Sequence, residues 1–464
     1  MITDRYDPMN LFALVPKLSL EMDDVLAKLD QLLDDDVLFQ RVKADLARRY
    51  PNSLRLGRHS TPVEVILRML VVRRLYDWSY EETEHFVSDS IVLRQFCRLY
   101  LEPAPDDSTL SRWAALIGPA TLEQLNEHVV GLARQLRVTR GRKLRNDSTV
   151  VETNIAYPRD SSLLSDGVRV VSRLIGRAKE FVAEQIEAVG EVFRNRTRSA
   201  KGLAHQITEE ARRRGEQAEV ARQATYKRLL KVAEASLKQA ETVQAALAEA
   251  PVTAAKRLRE GLEHFVPLVK QVIAQTRRRV LEGQVVPAAE KLVSLFEPHT
   301  RIIRRGKASK PTEFGRKVCL DEVDGGIVSR YRILEGNPPD DREVPASLAG
   351  HQRLFGHPPR LFTGDRAVSS PENEAVAQQM GVKRVALPQA GHKSAERRSY
   401  ERQGWFRRGL RFRAGIEGRI SVLKRRGYLG RCRDHGENGF GRWVGWGIVT
   451  ANLSTIARTL AARS

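Results

Sequence analysis

The sequence predicts a mixed α/β domain that is divided by a long helical insertion and preceded by an all-helical segment. Stretches rich in β-branched residues, typical of strands, occur near residue 150 and again between residues 316 and 387. The intervening residues, about 170 to 310, are rich in Ala, Glu, Arg, Gln and Leu, a composition typical of helices. The first 140 residues show apolar positions at helical spacing and residues that favour helix starts.

The N-terminal segment contains several predicted helices. One apolar stripe at helical spacing follows Pro62 and consists of Val63, Ile66, Leu67, Leu70 and Val71. Arg68, Arg73 and Arg74 are expected to lie off that stripe. Further helices are expected to begin at Ser79 and within residues 105–110. Short helices with tight turns and basic residues fit a helix-turn-helix module, although a plain helical bundle would show the same pattern.

Strand character begins at Lys143 and continues to about residue 154. Residues 316–320 and 327–334 are predicted to form a β-hairpin, because Asp324-Gly325-Gly326 between them favours a turn. The remaining predicted elements are a strand at 360–363, a helix at 371–380, a strand at 382–387 and helices up to the C-terminus.

These elements predict three domains. Residues 1–140 form a helical N-terminal domain, and residues 141–169 together with 311–464 form the α/β domain. Residues 170–310 form the insertion, which is predicted to be a helical hairpin or coiled-coil-like element. A solvated spacer is the alternative interpretation of the insertion.

The charge balance points to a polyanionic partner. The chain has 78 basic and 57 acidic residues, a formal net charge of +21. No apolar run approaches the roughly 18 residues that a membrane-spanning helix needs, so nucleic acid is favoured over a membrane. Met1–Leu20 lacks the features of a signal peptide. Cys97, Cys319 and Cys432 form no CxxC pair, so neither a zinc ribbon nor a disulfide scaffold is expected, and we expect a cytoplasmic protein.

Three carboxylates stand out by their positions. Asp147 lies within a strand of apolar and β-branched residues, where an acid is costly unless something binds it. Asp365 lies at the end of a predicted strand, at the sheet edge where ligands gather in α/β folds. Glu417 lies in a strongly basic helix, and residues 391–433 contain fourteen Lys or Arg against three acids.

Hard divalent cations would account for such carboxylates. Mg²⁺ prefers oxygen ligands, and two ions about 4 Å apart can activate the attacking oxygen and stabilise the leaving oxygen in phosphodiester displacement. Read from the residues alone, this is a nuclease or strand-transferase hypothesis. Each acid taken singly could instead form a salt bridge or cap a helix.

The sequence resembles the DDE transposases of bacterial insertion sequences. Residues 146–154, and Thr363-Gly364-Asp365-Arg366 followed by residues 372–374, are similar to the family's two aspartate regions. Arg413, Glu417 and Lys424 occupy the Arg, Glu and Lys places of its third region, whereas Leu410 stands at the tyrosine place, so no role is carried over for that tyrosine. Residues 75–82 and 105–113 are similar to the helical N-terminal domain of many such transposases.

The resemblance implies a fold and an activity. It implies an RNase H-like catalytic core, with Asp147 on the first strand, Asp365 after the fourth strand and Glu417 on a later helix. These three residues would be the catalytic residues and the ligands of two Mg²⁺ (or Mn²⁺) ions. The activity would be cleavage at transposon ends followed by strand transfer into target DNA, by a dimer or larger assembly in the cytoplasm, at the nucleoid.

The basic helix is predicted to contact DNA. Arg413, Glu417 and Lys424 lie at offsets of four and seven residues, so they share one helix face and the cations could neutralise phosphates beside the metal site. Trp405 and Phe406 could stack on an unpaired base, or could equally pack against the sheet. Two alternatives remain open: a nuclease or recombinase of the same fold, and a catalytically decayed DNA-binding protein. The predicted DNA-contacting residues are Arg407, Arg408, Arg413, Arg419, Lys424 and Arg425.

Overall fold

The computed structural model describes residues 2–4, 22–56, 59–188, 194–248, 253–304 and 311–464. The interpretation of Met1–Leu20 falls almost wholly outside these residues. The chain divides into two compact units, of which unit 1 contains residues 1–152 and 316–464, and unit 2 contains residues 153–315. The further division of unit 1 at residue 140 stays a prediction. Among the described residues, no helix combines the length and the apolar character needed to cross a bilayer.

The N-terminal part of unit 1 is helical, as predicted. Ser79 caps a helix through a capping box with Glu82, and Asp106 caps the next predicted helix by accepting from Thr109 N at 2.7 Å. Hydrogen bonds from Ser108 and Thr109 lower the pKa of Asp106 to about 2. The helices are α1 (Asp24–Leu33), α2 (Asp36–Ala47), α3 (Val63–Tyr76), α4 (Tyr80–Asp89), α5 (Ile91–Phe96), α6 (Asp107–Ala114) and α7 (Pro119–Gln135).

Helix α3 is buried on all sides, so the expectation that its arginines lie off the core is wrong. Arg68, Arg73 and Arg74 are at most 3% exposed. The Arg68 guanidinium pairs with Asp30 and Asp34 of α1, at 2.6 Å each. Because α3 is enclosed except at its last residues, it offers no face to a DNA groove.

Arg74 joins α3 to the C-terminal part of unit 1. Its Nη2 donates to the carbonyl oxygens of Gly427 at 3.1 Å and Tyr428 at 2.5 Å, and its guanidinium lies 3.6 Å from the ring centroid of Trp443. Burial lowers the pKa of Arg74 to about 10, which still leaves the group charged at neutral pH. The first and last parts of the chain therefore share one core.

The sheet of unit 1 confirms the predicted strands and the hairpin. The strands lie in the order β4-β3-β1-β5-β6, with β1–β5 and β5–β6 parallel and β3–β4 antiparallel. Gly325 and Gly326 turn between β3 and β4 at φ of 86° and 73°, values that favour glycine. The strand bounds are β1 (Lys143–Glu152), β2 (Arg301–Arg304), β3 (Thr312–Val323), β4 (Ile327–Ile333), β5 (Leu361–Thr363) and β6 (Arg384–Ala386).

The two faces of β1 are covered by different helices. Leu144 belongs to the same apolar cluster as Val344 and Leu348, whereas Val151 belongs to the cluster of Leu423. The even-numbered and odd-numbered side chains of β1 therefore lie on opposite faces of the sheet. The helices after β4 are α12 (Val344–Phe355), α13 (Pro371–Gln379), α14 (Ala395–Arg402), α15 (Gly404–Arg425) and α16 (Gly436–Ala461), and α15 covers the odd face.

Helix α16 supplies a large share of the C-terminal core. Trp443 and Trp446 are 1% and 3% exposed and belong to this core.

Unit 2 is a helical body with its own core. Four helices pack around an apolar cluster that includes Leu164, Leu229, Ala233 and Leu262, so the insertion is more than a solvated spacer. A π-helical turn, Arg277–Leu281, ends the helical part, so the predicted helical character of residues 170–310 is wrong for the stretch after Leu281. Strand β2 pairs antiparallel with the first residues of β3. The helices are α8 (Asp160–Ala188), α9 (Thr197–Glu210), α10 (Glu216–Leu247) and α11 (Thr253–Thr276).

We expect Arg74→Ala to lower the free energy of unfolding by about 3 kcal/mol, because it removes the donor to the Tyr428 carbonyl oxygen and the buried guanidinium that packs on Trp443. Urea titration followed by tryptophan fluorescence measures this, since the Trp443 ring lies against the guanidinium. The matched control is Arg353→Ala, whose side chain is 66% exposed and whose loss should cost less than about 1 kcal/mol. Equal losses for the two variants would contradict the anchoring role.

Candidate active site

The register of the central parallel strands bears directly on Asp147 and Asp365. Leu144 pairs with Phe362 and Arg145 pairs with Thr363. Continuing this register by two residues brings Asp365 opposite Asp147, and the backbone at Asp365 is still extended, with φ −79° and ψ −176°. Neighbouring strands lie about 4.8 Å apart, so a register continued past its last pair, Arg145–Thr363, predicts adjacent positions for the two aspartates just beyond the carboxyl end of β5.

Both aspartates are partly buried and hydrogen-bonded to nearby backbone. Asp147 Oδ1 accepts from Ser148 N at 2.7 Å. Asp365 Oδ1 accepts from Ala367 N at 2.8 Å and Val368 N at 3.2 Å, which caps a short 3₁₀ turn. Both side chains therefore lie at the accessible edge of the sheet, not within its core.

Helix α15 crosses the strands at close range because glycines face them. A Cβ at Gly409 would lie 2.6 Å from the Ala386 side chain on β6, and one at Gly415 would lie 2.4 Å from Nη1 of Arg145 on β1. Such approaches exclude larger residues at these two positions. The helix therefore lies against β1 on the same face as the odd-numbered residues, which include Asp147.

Arg145 fixes this contact through a buried ion pair. Its Nε and Nη2 donate to the two carboxylate oxygens of Glu322 at 2.9 Å and 2.8 Å. Its Nη1 donates to the carbonyl oxygen of Phe412, whose ring centroid lies 4.5 Å from the guanidinium. A bidentate pair of this kind is geometrically specific. Arg145 thus ties β1, β3 and α15 together two residues before Asp147.

Glu417 lies on the outer side of α15. Its side chain is 64% exposed and pairs with Arg413 Nη1 at 3.1 Å, one helical turn earlier. The predicted shared face of Arg413 and Glu417 is thereby confirmed, while Lys424 is partly buried two turns further along.

The chemistry of the three acids suits a hard divalent cation, since all three supply carboxylate oxygens. The register of β1 and β5, continued by two residues, predicts Asp365 beside Asp147, and the helix of Glu417 lies over the odd-numbered face of β1. However, the described part of the chain contains no group of three His, Cys, Asp or Glu side chains already arranged around one ion position. Their assignment as metal ligands and catalytic residues stays a prediction.

The cations of α15, taken with Arg426 just after it, differ in burial, and Arg413 and Lys424 are partly buried. Arg419 is largely enclosed, because its Nη2 donates to Thr455 Oγ1 at 2.9 Å and burial lowers its pKa. The remaining cations are exposed, and we call them the basic surface. The basic surface consists of Arg407, Arg408, Arg411, Arg425 and Arg426.

Base stacking by the aromatic pair on α15 is restricted by burial. Phe406 is fully buried, so the packing alternative applies to it. Trp405 is partly buried, its Nε1 donates to the Gln403 side chain, and its ring lies edge-on to Tyr400 at 5.4 Å.

Arg145 and Glu322 were not among the predicted site residues. The signal in the sequence is a charged residue at Arg145, on the same strand face as Asp147 and two positions before it. Its partner could not be found from the sequence, because Glu322 is 177 residues away along the chain.

Comparison with known proteins identifies the class of protein. The family model described as Transposase domain (DUF772) matches residues 16–116. Residues 16–116 are therefore similar to a transposase domain, and the match supports a transposase of an insertion-sequence family. It is also similar to a Rhizobium meliloti protein described as "Uncharacterized protein ORF8 in nfe locus", with 26% identity over 156 residues, 32% of this chain and 74% of that protein. No solved structure matches the chain.

We expect Gly415→Ala and Gly418→Ala to have opposite effects, although both lie in α15. Alanine normally stabilises a helix interior by about 1 kcal/mol relative to glycine, and a Cβ at Gly418 meets no atom within 4 Å. At Gly415 the added carbon displaces Arg145 from Glu322 or Phe412, which should cost about 1–3 kcal/mol. Thermal unfolding of both variants measures the difference. A gain in stability from Gly415→Ala would show that α15 does not lie this close to β1.

Proposed function

We propose that this transposase is of the DDE type and cleaves DNA at transposon ends, then joins those ends to target DNA. The observation that carries the proposal is the parallel register of β1 and β5, which predicts Asp365 next to Asp147 when it is continued two residues past Thr363. Helix α15, with Glu417, packs against the same strand. Two aspartates on neighbouring strands and a glutamate on a helix are suited to binding divalent ions beside a phosphodiester.

The same proposal implies that the core has an RNase H-like fold. Its support is the strand order, in which an antiparallel hairpin, β3–β4, lies on one side of β1 and the parallel strands β5 and β6 lie on the other. Asp147 belongs to the first strand of the sheet and Asp365 directly follows the parallel strand beside it. The helical unit 2 separates these parts in sequence.

Asp147, Asp365 and Glu417 would hold two Mg²⁺ or Mn²⁺ ions. Bound there, the ions would supply a lowered pKa for the attacking hydroxyl and charge stabilisation for the leaving oxygen. The protein's own part is to hold the carboxylates and position the DNA. Release of Glu417 from Arg413 would place a guanidinium one turn away, where it can pair with a phosphate.

The basic surface would bind the DNA backbone in this function. Arginine recognises phosphate through paired donors and retains its charge at any physiological pH. Lys424 and Arg413 would add contacts nearer the acids, and the enclosed Arg419 would position the helix. Joining two transposon ends needs two active sites, so the proposed working form is a dimer or larger assembly on DNA in the cytoplasm.

We expect Asp147→Asn, Asp365→Asn and Glu417→Gln each to lower cleavage by about 100-fold or more, because each removes a negatively charged ligand. The substrate is duplex DNA carrying the sequences that bracket this gene, assayed with Mg²⁺ and with EDTA.

Glu396→Gln is the matched control, since Glu396 is an exposed glutamate in the first turn of the neighbouring helix α14. It should cleave like the unmodified protein. Full cleavage by any of the three site variants would remove that residue from the active site. Specific end binding without cleavage by the unmodified protein, under Mg²⁺ and Mn²⁺ alike, would favour the catalytically decayed DNA-binding protein.

DNA binding should weaken steeply with salt. Each phosphate neutralised by a Lys or Arg contributes about −0.9 to the slope of log affinity against log salt on duplex DNA. Replacing Arg407 and Arg408 together by Gln should therefore make the slope shallower by about 1.8. Fluorescence anisotropy over a salt series measures the slope. An unchanged slope would exclude these two residues from the DNA contact.

A further inference from the structure

Unit 2 contains a cavity of about 710 Å³ that none of the predicted functional residues touches. Its wall combines the segment after β1, the end of α9, the first half of α10 and the π-helical turn. The volume lies within the range of ligand-binding pockets, about 300–1,000 Å³. Within unit 2, this is a preformed concave surface.

The cavity is basic. Four arginines and one glutamate line it, so the lining carries a net positive charge. Arg222 pairs with Glu219, and Arg279 Nε donates to Asp160 Oδ2 at 2.6 Å. Arg159 is exposed and has no ion pair or side-chain hydrogen bond with any residue that the structure describes. An arginine in this state is available to a ligand anion. The four arginines are Arg159, Arg212, Arg222 and Arg279.

Two tyrosines add aromatic surface to the same cavity. Tyr157 is 74% exposed, and its ring is held by an edge contact to Phe314, with centroids 5.7 Å apart and planes at 88°. Tyr226 is 6% exposed and hydrogen-bonded to Ser161, so it belongs to the inner wall. Arg212 pairs with Glu209, so Arg159 is the lining arginine that can contact a ligand without giving up an ion pair among the described residues. An exposed aromatic ring beside such a cation is typical of single-strand binding surfaces.

We propose that this cavity binds an unpaired nucleotide of a DNA strand, with the base on Tyr157 and the flanking phosphates on Arg159 and its neighbours. The inference rests on the proposed function, because strand cleavage and joining produce unpaired DNA near the protein. Stacking is open to any base, so the site recognises the single-stranded state and not a sequence. A paired base is already stacked within its duplex and has no free face for Tyr157.

The experiment must identify the residue that contacts the DNA, because the basic surface of unit 1 is also proposed to bind DNA. The probe is a single-stranded oligonucleotide of about 20 thymidines that contains 5-iododeoxyuridine, bound to the full chain in EDTA and irradiated. We expect a covalent adduct at Tyr157, located by mass spectrometry. The adduct should persist when deoxythymidine monophosphate is added at the concentration of the oligonucleotide.

Matched variants separate stacking from charge. Tyr157→Ala should weaken oligonucleotide binding about fivefold or more, whereas Tyr157→Phe, which keeps the ring, should stay within about twofold. Arg159→Gln should make the salt slope shallower by about 0.7, the value for one phosphate of a single strand. Arg257→Gln is the control, since Arg257 is exposed on α11 and does not line the cavity.

The outcomes are distinct from those of the cleavage test, because binding is measured without divalent ions. An adduct at Tyr157 with loss of binding in Tyr157→Ala supports the nucleotide site even where cleavage fails. Adducts confined to α15, or equal slopes for Arg159→Gln and Arg257→Gln, would overturn it. If equimolar deoxythymidine monophosphate abolished the adduct, the cavity would be a site for a free nucleotide, and the DNA-strand proposal would be overturned.

Discussion

The buried ion pair between Arg145 and Glu322 determines how the candidate site is built. Side chains that are 10% and 1% exposed lose most of their hydration, a cost that only good geometry and additional hydrogen bonds can offset. Here both carboxylate oxygens accept from the guanidinium, and the remaining Nη1 donates to the Phe412 carbonyl. The pair therefore also fixes the backbone of α15, and Glu417 lies five residues beyond that fixed point. A shift of this helix would break the hydrogen bond from Arg145 Nη1 to the Phe412 carbonyl and leave that buried donor without an acceptor.

The sheet also explains how a helical unit can interrupt the core without disrupting it. Thr153 N donates to Phe314 O at 3.1 Å, so the two ends of unit 2 leave and return side by side. Only the two chain segments that connect unit 2 to the sheet must therefore lie next to each other. The rest of the insertion has a core of its own, the apolar cluster of unit 2. The 218 residues between Asp147 and Asp365 in sequence are consequently compatible with adjacent positions in the fold.

Local chemistry made much of this fold predictable. Val and Thr in β1, the glycine turn at Gly325 and the cap at Ser79 each act within a few residues, and each was found in the sequence. The buried arginines were not predictable, because a basic residue on a helix is usually solvated. Arg74 is stabilised instead by carbonyl groups more than 350 residues away, at Gly427 and Tyr428. For the site, spacing predicted the pairing of Arg413 with Glu417, but it could not predict that the pair faces outward.

The hydrogen bonds and the ion pair that the three acids now form can be broken at a small cost in free energy. This determines how the proposed site could assemble. Three carboxylates held together repel one another, and their pKa values rise unless a cation compensates. In this structure each acid has a local partner instead, namely the Ser148 amide, the 3₁₀ turn after Asp365 and the Arg413 guanidinium. A solvent-accessible pair such as Arg413–Glu417 contributes at most about 1 kcal/mol, whereas breaking a buried pair such as Arg145–Glu322 costs about 3–5 kcal/mol. Binding of ions and DNA can therefore rearrange the exposed side chains while the buried pair keeps β1, β3 and α15 in place. The division between a rigid support and adaptable ligands follows from burial alone.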